Sequence, residues 1–207
     1  MIDISLLVIF IPTFFFVSIT PGMCMTLAMT MGMTIGVQRA LWMMLGELVA
    51  VGLVAILAVV GVAAILISHP QVFTAFKWIG GAYLFYVGVQ MWRSRGKMAI
   101  ADDFEHQQTA SNTELIIQGF TTAVANPKGW AFFISLLPPF VNTSEPLAPQ
   151  LLVLITLILI MEFSCLLIYA NGGRTLRRFL EKRGNVRLLN RFAGTLMMGV
   201  GVWLALG

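Results

Sequence analysis

Residues 4–37 read ISLLVIFIPTFFFVSITPGMCMTLAMTMGMTIGV, 34 consecutive positions without an Asp, Glu, Lys, Arg or His. A helix crossing the ~30 Å hydrocarbon core of a bilayer needs about 20 mostly apolar residues, so this stretch is more than long enough to span. In its middle stands Thr20-Pro21-Gly22. A mid-helix proline removes one backbone hydrogen bond, and in lipid the freed carbonyl must find its partner inside the protein. The chain therefore opens on a transmembrane span, placed at 4–28, that carries a break. A second broken span follows at 115–140, interrupted by Asn126-Pro127-Lys128.

Working outward from these two, four more apolar segments complete a set of six: 40–67, 72–92, 147–169 and 192–206. The first segment is not a cleaved signal peptide: Asp3 stands where a basic region belongs, and the segment exceeds the length of such a leader. Of the 207 residues, 58% are hydrophobic and 11% charged, against about 25% charged in an average soluble domain. That balance excludes a soluble globular protein, a disordered tail and a nucleic-acid-binding domain.

Thirteen Lys+Arg against nine Asp+Glu leave a net charge of +4, whose meaning in a membrane is topological. Eleven of the thirteen basic residues fall in the segments that join spans one to two, three to four and five to six. They are Arg39, the group Arg93, Arg95 and Lys97, and the run from Arg174 to Arg191. Cytoplasmic loops carry the positive excess, so both termini are expected on the non-cytoplasmic side of the cell (inner) membrane.

The spans divide into residues 1–98 and 112–207, three in each half, joined by a polar loop at 99–111. An odd number of spans per half places the halves in opposite orientations, the arithmetic of an inverted repeat. Two echoes support this reading. Pro21 and Pro127 each break the first span of a half, and Lys77-x-x-Gly80 is answered by Arg191-x-x-Gly194. The fold class expected is an all-α membrane protein of six helices in two inverted three-helix repeats, with the first and fourth spans broken by proline. Breaks in corresponding places are the best pointer in a sequence to a transporter's binding site.

Three ionisable groups stand in the wrong solvent: Glu47, Glu162 and Lys128. A charge at the bilayer centre costs about 2.5–3.5 kcal/mol on insertion scales, so such groups face a cavity, pair with one another, or carry protons. Each glutamate could pair with Lys128, and a static ion pair fixing helix register is the alternative to a transport role. Cys24 and Cys165 lie in apolar segments, where a thiol behaves as a small hydrophobe.

These residues carry a resemblance. The chain resembles the lysine exporter superfamily, in its branch of homoserine, threonine and leucine exporters, over almost its full length. Thr20-Pro21-Gly22 is similar to the family's first-span motif, and Gly36-x-x-Arg39 followed by Gly46-Glu47 to its loop and second span. The run from Phe76 to Gly88 resembles the third span closely, and Asn126-Pro127-Lys128 with Phe132-Phe133 and Pro138-Pro139-Phe140 the fourth. Glu162-Phe163-Ser164-Cys165 looks like the fifth span of leucine-exporting members. The resemblance implies inner-membrane location and export of amino acids driven by the proton gradient. One departure stands out: where the family motif continues Pro-Gly-Pro-Asn, this chain has Met23-Cys24-Met25 after Gly22. A rigid residue and an amide give way to sulfur side chains, which favours a more apolar cargo.

The expected function is a secondary transporter exporting neutral, apolar, leucine-like amino acids in exchange for protons. Substrate binding is assigned to Thr20, Pro21, Gly22, Met23, Asn126, Pro127 and Lys128, and proton coupling to Glu47 and Glu162. The partners are an amino acid, protons and the bilayer, with no cofactor and no nucleic acid. Gly52, Gly61, Gly80, Gly81 and Gly88 allow close helix contacts, within one subunit or between the copies of a homo-oligomer. Met23, Cys24 and Met25, with Met29, Met31 and Met33, raise a second reading, a permease for copper or another soft metal ion, since thioether and thiol ligands select such ions. A thiol redox carrier would require Cys24 and Cys165 to meet, and the chain has no Cys-x-x-Cys pattern. It also lacks a phosphate-binding glycine loop, clustered metal ligands and a Ser-His pair, so an enzyme is not expected.

Overall fold

The computed structural model describes residues 4–68, 70–93, 109–137, 140–141, 145–181 and 183–206. Most of the polar loop expected at 99–111 lies outside the described residues, as do the side chains of Lys77, Pro127 and Lys128. The regular elements among them are all helices: α1 (Ile4–Ile19), α2 (Met23–Thr34), α3 (Val37–Ser68), α4 (Pro70–Arg93), α5 (Asn112–Val124), α6 (Pro127–Leu136), α7 (Leu147–Glu181) and α8 (Arg183–Leu206). Three of these contain segments long and apolar enough to cross a membrane, Val37–Gly61, Leu147–Gly173 and Gly184–Leu206. The pair Leu7–Ile19 and Met23–Thr34 makes a fourth if it counts as one span, bent by 56°.

Local chemistry explains where the helices begin and end. α1 stops one residue before the Thr20-Pro21-Gly22 break, and α2 restarts after it with Gly22 as an extended N-cap. α2 passes to α3 through Gly36, whose φ of 79° is the left-handed conformation that closes a helix. α5 opens on a capping box: the Ser111 hydroxyl accepts from the Glu114 amide, and the Glu114 carboxylate accepts from the Ser111 amide.

Two expectations need correction between the fifth and sixth apolar segments. The described residues of the basic stretch from Arg174 to Arg191 are helical rather than a loop. α7 turns at Gly173 (φ 41°, ψ −128°) and continues to Glu181. The last helix begins at Arg183, not at 192. Hydropathy marks only the length immersed in lipid, whereas hydrogen bonding carries a helix on wherever one face stays covered. Here Leu180 and Val186 are that buried face.

Packing is arranged by small residues. In lipid the helices gain no hydrophobic drive from meeting, so close backbone approach supplies the contact. α4 and α8 pack over two reciprocal glycine pairs. A Cβ on Gly81 would lie 2.6 Å from the Gly201 carbonyl oxygen and the converse is the same; Gly88 and Gly194 repeat the pattern at 2.7 and 2.6 Å. α3 meets α5 at Gly46 against Ile116 and Gly119 against Met43, and α2 meets α7 at Gly32 against Ala170. Leu152, Ile79 and Val8 face outward, each more than two-thirds exposed. The core falls into two clusters. One is rich in aromatics around Phe10, Phe14, Phe132, Phe133 and Phe140. The other is rich in methionine around Met25, Met29, Met31, Met43 and Met44, with Tyr169.

A candidate binding cavity where two helix breaks meet

At the first break the chain reassigns its hydrogen bonds. Pro21 offers no N–H, and the Ile19 carbonyl sits at the end of α1. The Tyr169 hydroxyl, fully buried on α7, donates to that carbonyl at 2.7 Å. The Thr20 hydroxyl turns back to the Phe16 carbonyl at 2.7 Å. One turn before the break, the Ser18 hydroxyl donates to the Glu162 carboxylate, also on α7. One helix therefore holds the break at two points, through residues two turns apart on the same face.

At the second break, the amide of Asn126 donates to the Ala123 carbonyl, and that of Gly129 to the Asn126 carbonyl. The Asn126 side chain reaches across to the first break and donates to the Cys24 sulfur at 3.6 Å. The residue before one break and the second residue after the other are thus in contact, 102 positions apart in sequence.

Between the breaks lies a small, half-open cleft of about 60 Å³. Its polar lining is Ser18, Thr20, Cys24, Asn126 and Glu162, with Gly22 and Gly129 at the helix starts. Its apolar lining is Phe14, Val17, Val51, Val54, Phe132 and Phe133, completed by Met25 and Ala123. The aromatic residues close on one another: Phe14 lies 5.4 Å from Phe132 and 6.2 Å from Phe133 between ring centroids.

Glu47 stands just behind this lining. It is fully buried, and neither carboxylate oxygen has a hydrogen-bond partner among the described residues. Cys24, which lines the cavity, lies close enough to Glu47 for electrostatic interaction. Glu162 is close enough to act on Glu47 as well. Three acidic side chains, one a thiol, therefore converge on the first break.

Of the residues singled out in the sequence, Thr20, Gly22, Asn126 and Glu162 line the cavity. Pro21 lies in the break itself. Met23 is 40% exposed and points elsewhere; Cys24 and Met25, its neighbours, line the cavity. The side chains of Pro127 and Lys128 fall outside the description. Sequence reasoning passed over Ser18, Phe14, Val51, Val54 and Tyr169. Only the two valines had a signal available, being four and seven residues beyond Glu47 and so on its face of α3. No group of three or more His, Cys, Asp or Glu among the described residues is arranged to hold a metal ion.

Comparison with known proteins gives this geometry a context. Residues 15–207 match the family described as LysE type translocator. The chain is 27% identical over 188 residues to the homoserine/homoserine lactone efflux protein of Salmonella typhimurium, covering 91% of this chain and 90% of that one. It is 26% identical over 196 residues to the leucine efflux protein of an Enterobacter species, covering 92% and 90%. It is 26% identical over 203 residues to an uncharacterized membrane protein of Vibrio cholerae, covering 98% of both. No solved structure matches. A match over nearly the whole chain, on an all-helical membrane protein, establishes that the chain belongs to the LysE-type translocator family, which comprises transporters rather than enzymes.

Proposed function

We propose that this protein exports neutral, apolar, leucine-like amino acids across the inner membrane in exchange for protons. The observation that carries the reading is the meeting of both helix breaks and two acidic residues at one cavity with a largely apolar lining. Relatives named for homoserine and for leucine efflux bracket the cargo, and the phenylalanines and valines favour the apolar end.

The architecture proposed is six spans in two inverted three-helix repeats, residues 1–98 and 112–207. Each half runs as two short helices around a break, then two long ones: 16, 12, 32 and 24 residues against 13, 10, 35 and 24. The glycine pairs on α4 and α8 run in opposite directions along the two helices, Gly81 with Gly201 and Gly88 with Gly194. Antiparallel closing helices are what a two-fold axis in the membrane plane produces. The basic residues at Arg39, at 93–97 and along 174–191 put both termini on the non-cytoplasmic side.

In the mechanism, the cargo's carboxylate is held at the starts of α2 and α6. The amides of Met23, Cys24 and Met25 precede the first intrahelical donor of α2, Thr26, and a helix start favours an anion. Lys128 supplies a positive charge at the second start. Glu162 takes the ammonium group at the cavity wall. Glu47 carries the exchanged proton: a partnerless carboxylate out of water is costly as an ion, and a proton removes that cost. The proton's arrival and departure shift the balance between states open to either side.

The test uses purified protein in liposomes loaded with mixed amino acids. An imposed pH gradient is expected to release leucine-like amino acids selectively, identified by mass spectrometry. Glu47→Gln and Glu162→Gln are expected to abolish the gradient's effect. Gradient-driven release that survives both substitutions refutes the coupling, and no release of any amino acid by folded protein refutes the export reading.

A further inference from the structure

The cavity has a chemical direction along α3. Glu47, Val51 and Val54 lie at i, i+4 and i+7, on one face of the helix. Glu47 sits beside Cys24 and the first break, where the polar lining gathers. Val51 and Val54 lie about 6 and 10 Å further along at 1.5 Å per residue, 9% and 4% exposed. Both belong to the buried cluster that also contains Phe14, Phe132 and Phe133. A molecule anchored by its charged groups at the breaks would therefore extend its side chain along α3 toward the two valines.

We propose that Val51 and Val54 determine which amino acid is carried, by forming the wall against which the cargo's side chain packs. The proposal rests on the amino-acid export reading and adds to it the residues that select the cargo. Valine is suited to the task. Branched at Cβ, it is stiff at χ1 and cannot turn aside for a larger guest. It offers no hydrogen-bond partner, so a hydroxyl on the cargo loses its water and gains nothing here. An apolar wall discriminates one methylene by about 10–200-fold, and an added hydroxyl by about 100-fold. This places leucine-sized aliphatic side chains in favour, homoserine and threonine below them, and aromatic side chains out for want of room.

The experiment measures competitive export from liposomes loaded with leucine, homoserine, alanine and phenylalanine, for the wild type and for Val51→Thr, Val54→Thr and Val51→Ala. Threonine keeps the branched shape and adds a hydroxyl, so the homoserine-to-leucine ratio is expected to rise about tenfold. Val51→Ala deepens the wall, and phenylalanine export is expected to gain a similar factor over leucine. Should the threonine variants not fold, Val54→Ile narrows the same wall with an aliphatic residue and is expected to raise alanine over leucine about tenfold. Ratios within twofold of wild type in the variants that transport would overturn the proposal while leaving the export reading intact. A wild type that exports no amino acid overturns both, and that is read first.

Discussion

Gly119→Ala tests the seam between α3 and α5, which closes beside Glu47. A Cβ added at Gly119 would lie 1.9 Å from the Met43 carbonyl oxygen, 2.8 Å from its carbon and 3.1 Å from the Glu47 nitrogen. Real Cβ contacts essentially never fall under 3.0 Å, so the helices must part by about 1 Å. All three obstructing atoms are backbone, and no side chain can rotate to make room. Overpacking of this kind costs about 1–3 kcal/mol where flexible neighbours share the strain, so the upper end is expected here. Alanine's better helix propensity returns about 1 kcal/mol. A net loss of about 2 kcal/mol corresponds to a melting temperature lower by roughly 4–8 °C for a chain of this size.

The assay is thermal unfolding of the detergent-solubilised protein, followed by monodispersity on size exclusion. Gly199→Ala is the control, for nothing lies within 4 Å of its added Cβ; it should leave the melting temperature unchanged or raise it. Equal melting temperatures for wild type and Gly119→Ala would mean that α3 and α5 do not approach as described, and the position assigned to Glu47 would fall with them.

Other expectations follow from single contacts. Tyr169→Phe keeps the buried ring and loses only the bond to the Ile19 carbonyl, so it should cost about 1–3 kcal/mol of stability for a buried acceptor left unpaired; no loss would mean that the break needs no support from α7. Phe14→Ala opens the aromatic contact with Phe132 and Phe133. In a Cys165→Ser background, alkylation of Cys24 by a water-soluble maleimide should then accelerate, by mass spectrometry, and an unchanged rate would place the access route elsewhere. Gly36→Ala meets no neighbour but forces a Cβ into a φ of 79°, at a cost of about 1–2 kcal/mol; a melting temperature equal to wild type would refute the turn.

The parts of this protein that were legible in its sequence are those where a residue defies its solvent. Thr20-Pro21-Gly22 and Asn126-Pro127-Lys128 announced breaks because proline removes a donor whatever surrounds it. Glu47 and Glu162 announced themselves because an acid in an apolar stretch needs a reason. Two helix ends followed the hydropathy: Ser68 and Arg93 end helices close to where the apolar runs end.

What the sequence could not reveal is which apolar residues face the cavity. On α3, Val49 is 49% exposed and Val51 9%, yet the two are the same residue type two positions apart. In water, the polar face of an amphipathic helix would distinguish inside from outside. In a bilayer, lipid and protein interior are alike in polarity, and that periodicity disappears. Met23 and Cys24, about 100° apart around α2, differ for the same reason: only the packing of α2 leaves one exposed and brings the other to Asn126. The sequence by itself determined the membrane class, the breaks and the acids. The tertiary structure alone decided that the breaks meet, that Tyr169 holds one of them, and that Glu47 lies beside Cys24, because those facts depend on glycine-scale approaches between helices distant in the chain.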